Sequence, residues 1–252
     1  MRHSLISVHQ PKKGSMLKLE IVPKSDRLIT QDNELIEACY KMDLNEKRLL
    51  NLGASKINPM GSYPDANKPF RFEVTAKEWK AVYGDENSWR AIKRTADNLL
   101  KRQIILHPKT GVVEKLNWFD SVKYYANEGR IEAQFTRSVQ VRLAGMIEQF
   151  TKINLLSVNK LRSFYSVRLY ELLSQFNATG YRIISVEDFR YAMDSVKTYP
   201  QTKDLKRRVL MPAIREINRQ SDMDCSVKDV RDGRLITHFE FTFSKKSQQF
   251  LF

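Results

Sequence analysis

One succession of local signals occurs twice along this chain, and that repetition limits the folds open to it more than any other feature of the sequence. In the first half, Phe70-Arg71-Phe72-Glu73-Val74 alternates apolar with charged residues, as a strand does when successive side chains point to opposite faces. Thr75 opens a short helix carrying Trp79 and Val82-Tyr83, and Gly84 ends it; a hydroxyl suits the N-cap and glycine the left-handed residue past the C-terminus. Asp85 to Ser88 supply turn and cap residues. Trp89, Ile92, Ala96, Leu99 and Leu100 then keep to one face at helical spacing, while Arg90, Lys93, Arg94, Asp97 and Lys101 occupy the other. The apolar face stops before Gln103, where the helix is expected to end. Ile104–Leu106, a Pro108–Gly111 turn, and Trp118–Tyr125 joined through Asn127-Glu128-Gly129 to Ile131, Ala133 and Phe135 read as β-hairpin material.

The second half repeats the order. Lys160 to Phe176 is expected as a helix burying Leu161, Phe164, Tyr165, Leu169, Leu172, Leu173 and Phe176, stopped at Gly180. Tyr181–Ile184 forms a brief strand, and Ser185-Val186-Glu187-Asp188 has nearly the form of a capping box opening a helix through Phe189 and Met193. After Tyr199-Pro200-Gln201, a helix from Thr202 places Leu205, Val209, Leu210, Ala213, Ile214 and Ile217 in one half of the wheel and Arg207, Arg208, Arg215 and Arg219 in the other. Pro212 lies inside this helix; an interior proline costs roughly 3 kcal/mol, so a bend is expected there. Val227–Arg231, the Asp232-Gly233 turn and Leu235–Phe243 form a second hairpin, with Phe239, Phe241 and Phe243 alternating with His238, Glu240 and Thr242.

Two helix-turn-helix units, each followed by a hairpin, predict an α+β chain of two tandem winged-helix domains, residues 30–145 and 146–252. The length of 252 residues suits two compact units, and 42% hydrophobic residues suffice for real cores. Ahead of the first strand, Asp32 to Leu52 suggests two helical stretches, with Asp43 placed to cap the second. A loop at Asn58-Pro59-Met60-Gly61-Ser62 and Pro64 follows. Residues 1–29, with Pro11-Lys12-Lys13-Gly14-Ser15 and Pro23, show no sustained period and read as an N-terminal extension.

Lys and Arg number 43 against 29 Asp and Glu, a formal charge of +14. Such an excess points to a polyanionic partner, because cations that neutralise phosphates release condensed counterions. The bland alternative is a solvated basic face, which one isolated helix would not exclude; the recurrence of a basic helix after the same turn argues for double-stranded DNA. A major groove about 12 Å wide admits the second helix of a helix-turn-helix. Lys203, Lys206, Arg207 and Arg208, in the first two turns, are the leading base and phosphate contacts, with Arg215 on the same face. Arg231 and Arg234 flank the second wing's tip, in reach of phosphate or minor groove. Arg90, Lys93 and Arg94 are the first-domain counterparts.

Several chemistries find no support. His3, His9, His107 and His238 form no metal-binding pair, and Cys39 and Cys225 form no CxxC. Tyr124-Tyr125 resembles a nickase nucleophile pair only superficially, since neighbours on a strand point opposite ways. A phosphate-cradling GxxxxGK[ST] loop is absent, and Lys109-Thr110-Gly111 is a turn. We expect no enzyme, no metal and no cofactor. The two separated cysteines fit a reducing cytosol; Leu5-Ile6-Ser7-Val8 is shorter than a signal peptide's apolar region, and nothing approaches a membrane span.

From Asn159 onward the sequence resembles the plasmid replication initiators of the Rep-3, or iteron-binding, family. The likeness lies in Ser166-Val167-Arg168-Leu169-Tyr170-Glu171-Leu172-Leu173, in Asp204-Leu205-Lys206-Arg207-Arg208-Val209-Leu210 followed by Ala213-Ile214-Arg215-Glu216-Ile217-Asn218, and in the Gly233-Arg234 and Phe239-Glu240-Phe241 wing. In the first half, Asn33, Leu35, Ala38 and Tyr40 match the family's N-x-L-x-x-A-x-Y-x-L opening, with Met42 for the usual Leu. The resemblance implies binding to direct repeats in a plasmid origin, opening of the adjacent A·T-rich duplex, and recruitment of the host replication initiator and replicative helicase. It further implies monomers as the replicating form, and dimers, joined through the first domain, that repress their own promoter at an inverted repeat. It makes Arg168 a DNA-backbone candidate. A winged-helix transcriptional repressor without a replication role is the rival; a protein-interaction scaffold is a third reading, separable by the salt dependence of DNA binding.

Overall fold

A computed structural model describes residues 28–57, 68–106, 113–144 and 149–246. Residues 1–27 of the expected extension, the loop expected around Asn58–Pro64 and the Pro108–Gly111 turn lie outside the described residues. The order is β1 (Leu28–Asp32), α1 (Asn33–Glu37), α2 (Leu44–Ala54), β2 (Arg71–Thr75), α3 (Ala76–Tyr83), α4 (Ser88–Leu99), β3 (Gln103–Leu106), β4 (Glu114–Asn117), β5 (Phe119–Tyr125), β6 (Arg130–Phe135) and α5 (Arg137–Leu143). There follow β7 (Phe150–Asn154), α6 (Leu155–Asn159), α7 (Phe164–Ser174), β8 (Tyr181–Ser185), α8 (Val186–Ala192), α9 (Thr202–Leu205), a π-helical turn (Lys206–Leu210), α10 (Met211–Gln220), β9 (Met223–Asp232) and β10 (Leu235–Lys245).

The repetition read from the sequence is present in the sheets. Each half holds a three-stranded antiparallel sheet in which the last strand lies in the middle, β2-β6-β5 and β8-β10-β9. Even the ladders correspond: Val74 pairs with Ile131 and Ile131 with Tyr124, as Ile184 pairs with Phe239 and Phe239 with Asp229. The next residue caps a helix in both halves, Thr75 accepting from the Glu78 N–H at 3.0 Å and Ser185 from the Asp188 N–H at 3.0 Å. Asp43 caps α2 in a full capping box with Glu46. The first half adds the β3-β4 hairpin ahead of its wing.

Two helices differ from the sequence expectation. The helix expected over Lys160–Phe176 starts at Phe164, because Ser163 is extended and the Arg162 N–H donates to Glu216 Oε1 at 2.8 Å instead of entering a helical ladder. Its C-terminal end is also earlier, at Ser174; Gly180, with φ 64°, serves the turn that leads into β8. There the Phe243 N–H donates to the Gly180 carbonyl at 2.8 Å. The break expected at Pro212 takes the form of the π turn, whose register shift lets the Met211 N–H reach back to the Lys206 carbonyl. Proline at the next position has no N–H to give, so the ladder is altered where a donor is lost in any case.

The strand β7 pairs back onto β1, Ile153 facing Ile29. The segment just after the expected 145/146 boundary therefore closes the first half. Buried side chains form one continuous core through both halves. Trp79 and Trp118 lie fully inside, Trp89 packs partly buried against this core, and rings meet at Phe72–Phe135 (4.8 Å) and Phe189–Phe239 (5.3 Å).

Candidate nucleic-acid interface

The apolar side of the helix running from Thr202 to Gln220 settles which of its residues are free. Leu205, Val209, Leu210, Ala213, Ile214 and Ile217 are buried, so the opposite face presents Lys203, Arg207, Arg208 and Arg215 to solvent, with Lys206 half-buried beside them. Beyond the helix, β9 and β10 extend as a wing closed by a two-residue loop, Gly233-Arg234. Gly233 has φ 56°, at the first central position that a type II′ hairpin turn reserves for glycine. Arg231 and Arg234 are exposed there.

Helix and wing enclose a groove of about 600 Å³ lined by Lys203, Lys206, Arg207, Arg215 and Arg231, with Met211 and Ile236 as its apolar lining. Within it Lys206 Nζ lies 2.6 Å from both carboxylate oxygens of Asp229 on β9, and Arg231 Nη2 lies 3.3 Å from Oδ2. Arg207 Nη2 bonds Asp204 Oδ1 at 2.8 Å, a pair one helical turn apart on a guanidinium that stays mostly exposed; such surface pairs contribute about 0–1 kcal/mol and exchange readily for another anion. Lys203, Arg208, Arg215 and Arg234 make no side-chain hydrogen bond or ion pair among the described residues.

The first half is built alike and charged differently. Arg90, Lys93 and Arg94 are exposed on α4. Lys93 Nζ lies 3.7 Å from Asp97 Oδ2 and 5.6 Å from the Tyr124 ring centroid, and Tyr124 on β5 donates its hydroxyl to Asp97 Oδ1 at 2.6 Å. Burial, reinforced by Asp97, pushes the Tyr124 phenol well above its ordinary range. Tyr125 points the other way and stacks under Arg130 at 3.8 Å, as strand alternation requires. Arg130 in turn pairs with Glu73 and Glu128, and Lys123 with Glu132.

Arg168 is a correction. The structure buries it completely, so it offers nothing to a DNA backbone. Its Nη1 pairs with Glu171 at 3.1 Å and donates to the Tyr40 hydroxyl; its Nη2 donates to the carbonyls of Ile36 (2.6 Å), Ala38 (3.1 Å) and Ala192 (3.1 Å). Lys47, also buried, reaches Glu171 at 2.8 Å. Asp229 and Asp204, absent from the sequence-based set, hold three of the cations that line the groove. Asp204 stands three residues before Arg207, a legible spacing, whereas Asp229 lies 23 residues from Lys206 and carries no local signal. Among the described residues no cluster of His, Cys, Asp and Glu is placed to hold a metal ion, and no helix is long and apolar enough to cross a membrane.

Residues 28–174 match the family described as Initiator Replication protein, WH1, and residues 185–243 the one described as Initiator Rep protein, WH2. The chain is 24% identical over 208 residues to an uncharacterized 27.6 kDa protein of Escherichia coli, covering 77% of this chain and 86% of that one. It is 29% identical over 153 residues to the PI protein of Escherichia coli, covering 54% of this chain and 50% of the relative. To a replication initiation protein of Escherichia coli it is 24% identical over 207 residues, covering 79% and 64%. Among solved structures, the Pi initiator protein in complex with iteron DNA has the same fold, with a TM-score of 0.66 at 23% identity, covering 90% of this chain and all of that one. A repeated winged helix matched in each half by its own family description places this chain in the Rep-3 family of plasmid replication initiators.

Proposed function

We propose that this protein initiates plasmid DNA replication by binding direct repeats, or iterons, at the origin, and that it does so without bond-making chemistry. The observation that carries the reading is the groove between recognition helix and wing, where five cations converge beside further unpaired arginines. A helix face bearing Lys203, Arg207, Arg208 and Arg215 is suited to the major groove, where an Arg fork can take guanine O6 and N7. Arg231 and Arg234 on the wing flank the path of the neighbouring phosphates and minor groove. The chain divides into units 30–145 and 146–252, with β7 pairing back onto β1 of the first, the second unit supplying most of the DNA contact and Arg90, Lys93 and Arg94 the contact from the first.

Several bound copies strain the origin, and the work of opening comes from binding energy and supercoiling, with A·T-rich steps yielding first. The host replication initiator and replicative helicase are then recruited in the bacterial cytoplasm. Monomers act at the origin, and dimers joined through the first domain repress the protein's own gene at an inverted repeat. The Pi initiator protein in complex with iteron DNA, which has the same fold, supports the iteron-binding part of this reading.

Footprinting on the DNA flanking the protein's own gene tests it, followed by a replicon-maintenance assay with the protein supplied in trans. Protection of tandem repeats and maintenance of a replicon that lacks its own initiator gene are expected. Protection of an inverted repeat alone, with no maintenance, assigns the chain to transcriptional repression instead.

A further inference from the structure

A carboxylate bonded to two of the cations that line a groove works against phosphate binding, so its pairing with them asks for a reason. Asp229 takes the Lys206 ammonium on both oxygens at 2.6 Å and the Arg231 guanidinium at 3.3 Å. Its side chain is only 18% exposed and that of Lys206 26%, so neither is a fully solvated surface group. Lys206 is thereby aimed at the wing strand β9, while Lys203, Arg208 and Arg215 on the same helix carry no such partner among the described residues.

The other half of the molecule supplies an independent observation. Asp229 and Tyr124 occupy the same rung of their respective sheets, opposite Phe239 and Ile131. Tyr124 also reaches from the first wing strand to the recognition helix of its own domain, through Asp97 at 2.6 Å. At one ladder position, therefore, both domains tie wing to helix, with different chemistry. In the first half the tie joins a neutral phenol to an acid on the helix; in the second it joins an acid to a cation that a phosphate would also attract.

We propose that Asp229 is a specificity-determining positioning residue: it holds Lys206, and more weakly Arg231, and withholds them from the phosphates of unrelated duplex. Non-cognate DNA offers phosphates everywhere but must compete with a two-oxygen ion pair for Lys206. Cognate DNA meets a preset side chain and loses less on ordering it. This inference rests on the proposed DNA-binding function.

The test compares the full chain with Asp229→Asn, Lys206→Gln and the double variant, each titrated against a footprinted direct-repeat duplex and a scrambled duplex of equal length across a salt series. Asp229→Asn is expected to bind scrambled duplex roughly tenfold more tightly, with a salt slope steeper by about one contact. Repeat affinity stays level or falls, so discrimination drops by about tenfold. In the double variant the gain on scrambled duplex disappears, because it runs through Lys206; a gain that persists there, or an equal gain on both duplexes, is general charge removal and overturns the proposal. Unchanged discrimination in Asp229→Asn overturns it as well, leaving the DNA-binding reading intact. A wild-type chain that does not distinguish the two duplexes sinks both.

Discussion

Replacing Arg168 with alanine separates two accounts of that residue, a DNA contact and an internal strut. The guanidinium is fully buried and supplies the carbonyl of Ile36 near the end of α1, that of Ala38 just beyond it, and that of Ala192 at the end of α8. Helix C-termini leave such carbonyls without ladder partners, and a cation is the favoured donor for them. Truncation leaves three buried acceptors bare, each costing roughly 1 kcal/mol or more. Glu171 keeps Lys47 at 2.8 Å and is not itself orphaned. The sum, with the void left by the guanidinium, comes to about 3–5 kcal/mol, the usual cost of breaking a buried ionic network. Guanidinium denaturation followed by tryptophan fluorescence reads it through Trp118, which is buried 5.1 Å from the Tyr40 ring that Arg168 also stacks upon. With a denaturant slope of about 5 kcal/mol/M, the midpoint falls by roughly 0.6–1 M. Arg168→Lys is expected to fall nearly as far, since an ammonium has neither the donors nor the planar reach to span three carbonyls. An unchanged midpoint accompanied by lost affinity for repeat DNA would refute the burial argument and restore Arg168 to the interface.

Arg207→Ala is expected to weaken repeat binding by about 1–3 kcal/mol without moving the unfolding midpoint, read by gel shift at fixed salt and by denaturation; equal affinity removes Arg207 from the contact set. Gly180→Ala is expected to destabilise by at least about 1–2 kcal/mol, because its φ of 64° is left-handed. An added Cβ would also stand 2.5 Å from the Phe243 carbonyl oxygen; a thermal midpoint within a degree of wild type would contradict this. Burial, aided by Asp194, pushes the Cys39 thiol from an ordinary 9.0 up to about 12, and burial pushes Cys225 up as far. Both should resist a disulfide reagent at pH 8 and react once the chain is unfolded. Because the unfolded chain ionises these thiols first, stability present below pH 9 is lost as pH rises toward about 12; a denaturation midpoint flat over that window would count against the burial of both.

What the sequence made legible was whatever is set within a few residues. Thr75, Ser185 and Asp43 cap because a short oxygen-bearing side chain sits at a fixed offset from an amphipathic run, and all three do so here. The buried side of the Thr202–Gln220 helix follows from its period alone. Pairings across long separations were not legible: Phe150-Thr151-Lys152-Ile153 shows no apolar alternation and was not read as a strand, and nothing near it names Leu28–Asp32 as its partner. Arg168 was misplaced for a physical reason that the sequence does contain. Ser166 to Ser174 are buried on every side of α7, and a helix that is apolar nearly all round is an interior helix. A charge within one must be paired, and Glu171 stands three residues on. Reading Arg168 for its charge, without asking what surrounds the helix that carries it, put an interior strut on the surface.

That strut also bears on how the two winged helices act together. Arg168 reaches α1 and α8 at once, and three further contacts join the same regions: Arg182 Nη2 to Glu37 at 3.1 Å, the Tyr191 hydroxyl to the Ile105 carbonyl at 3.0 Å, and Cys39 Sγ to Asp194 at 3.5 Å. Halves joined by buried hydrogen bonds through one core do not sample orientations as halves on a flexible linker do. For a duplex that meets both α4 and α10, the cost of orienting the second domain is then already met in folding, and the effective concentration of one helix at its site is set by geometry instead of linker length. The same rigidity works as a filter, since sequence elements at the wrong separation engage one helix only. On the proposed DNA-binding reading, Glu37→Gln or Tyr191→Phe, which remove contacts between the halves, should widen the range of inserted base pairs between contacted segments that a gel shift tolerates; an unchanged range would refute the role given to those contacts.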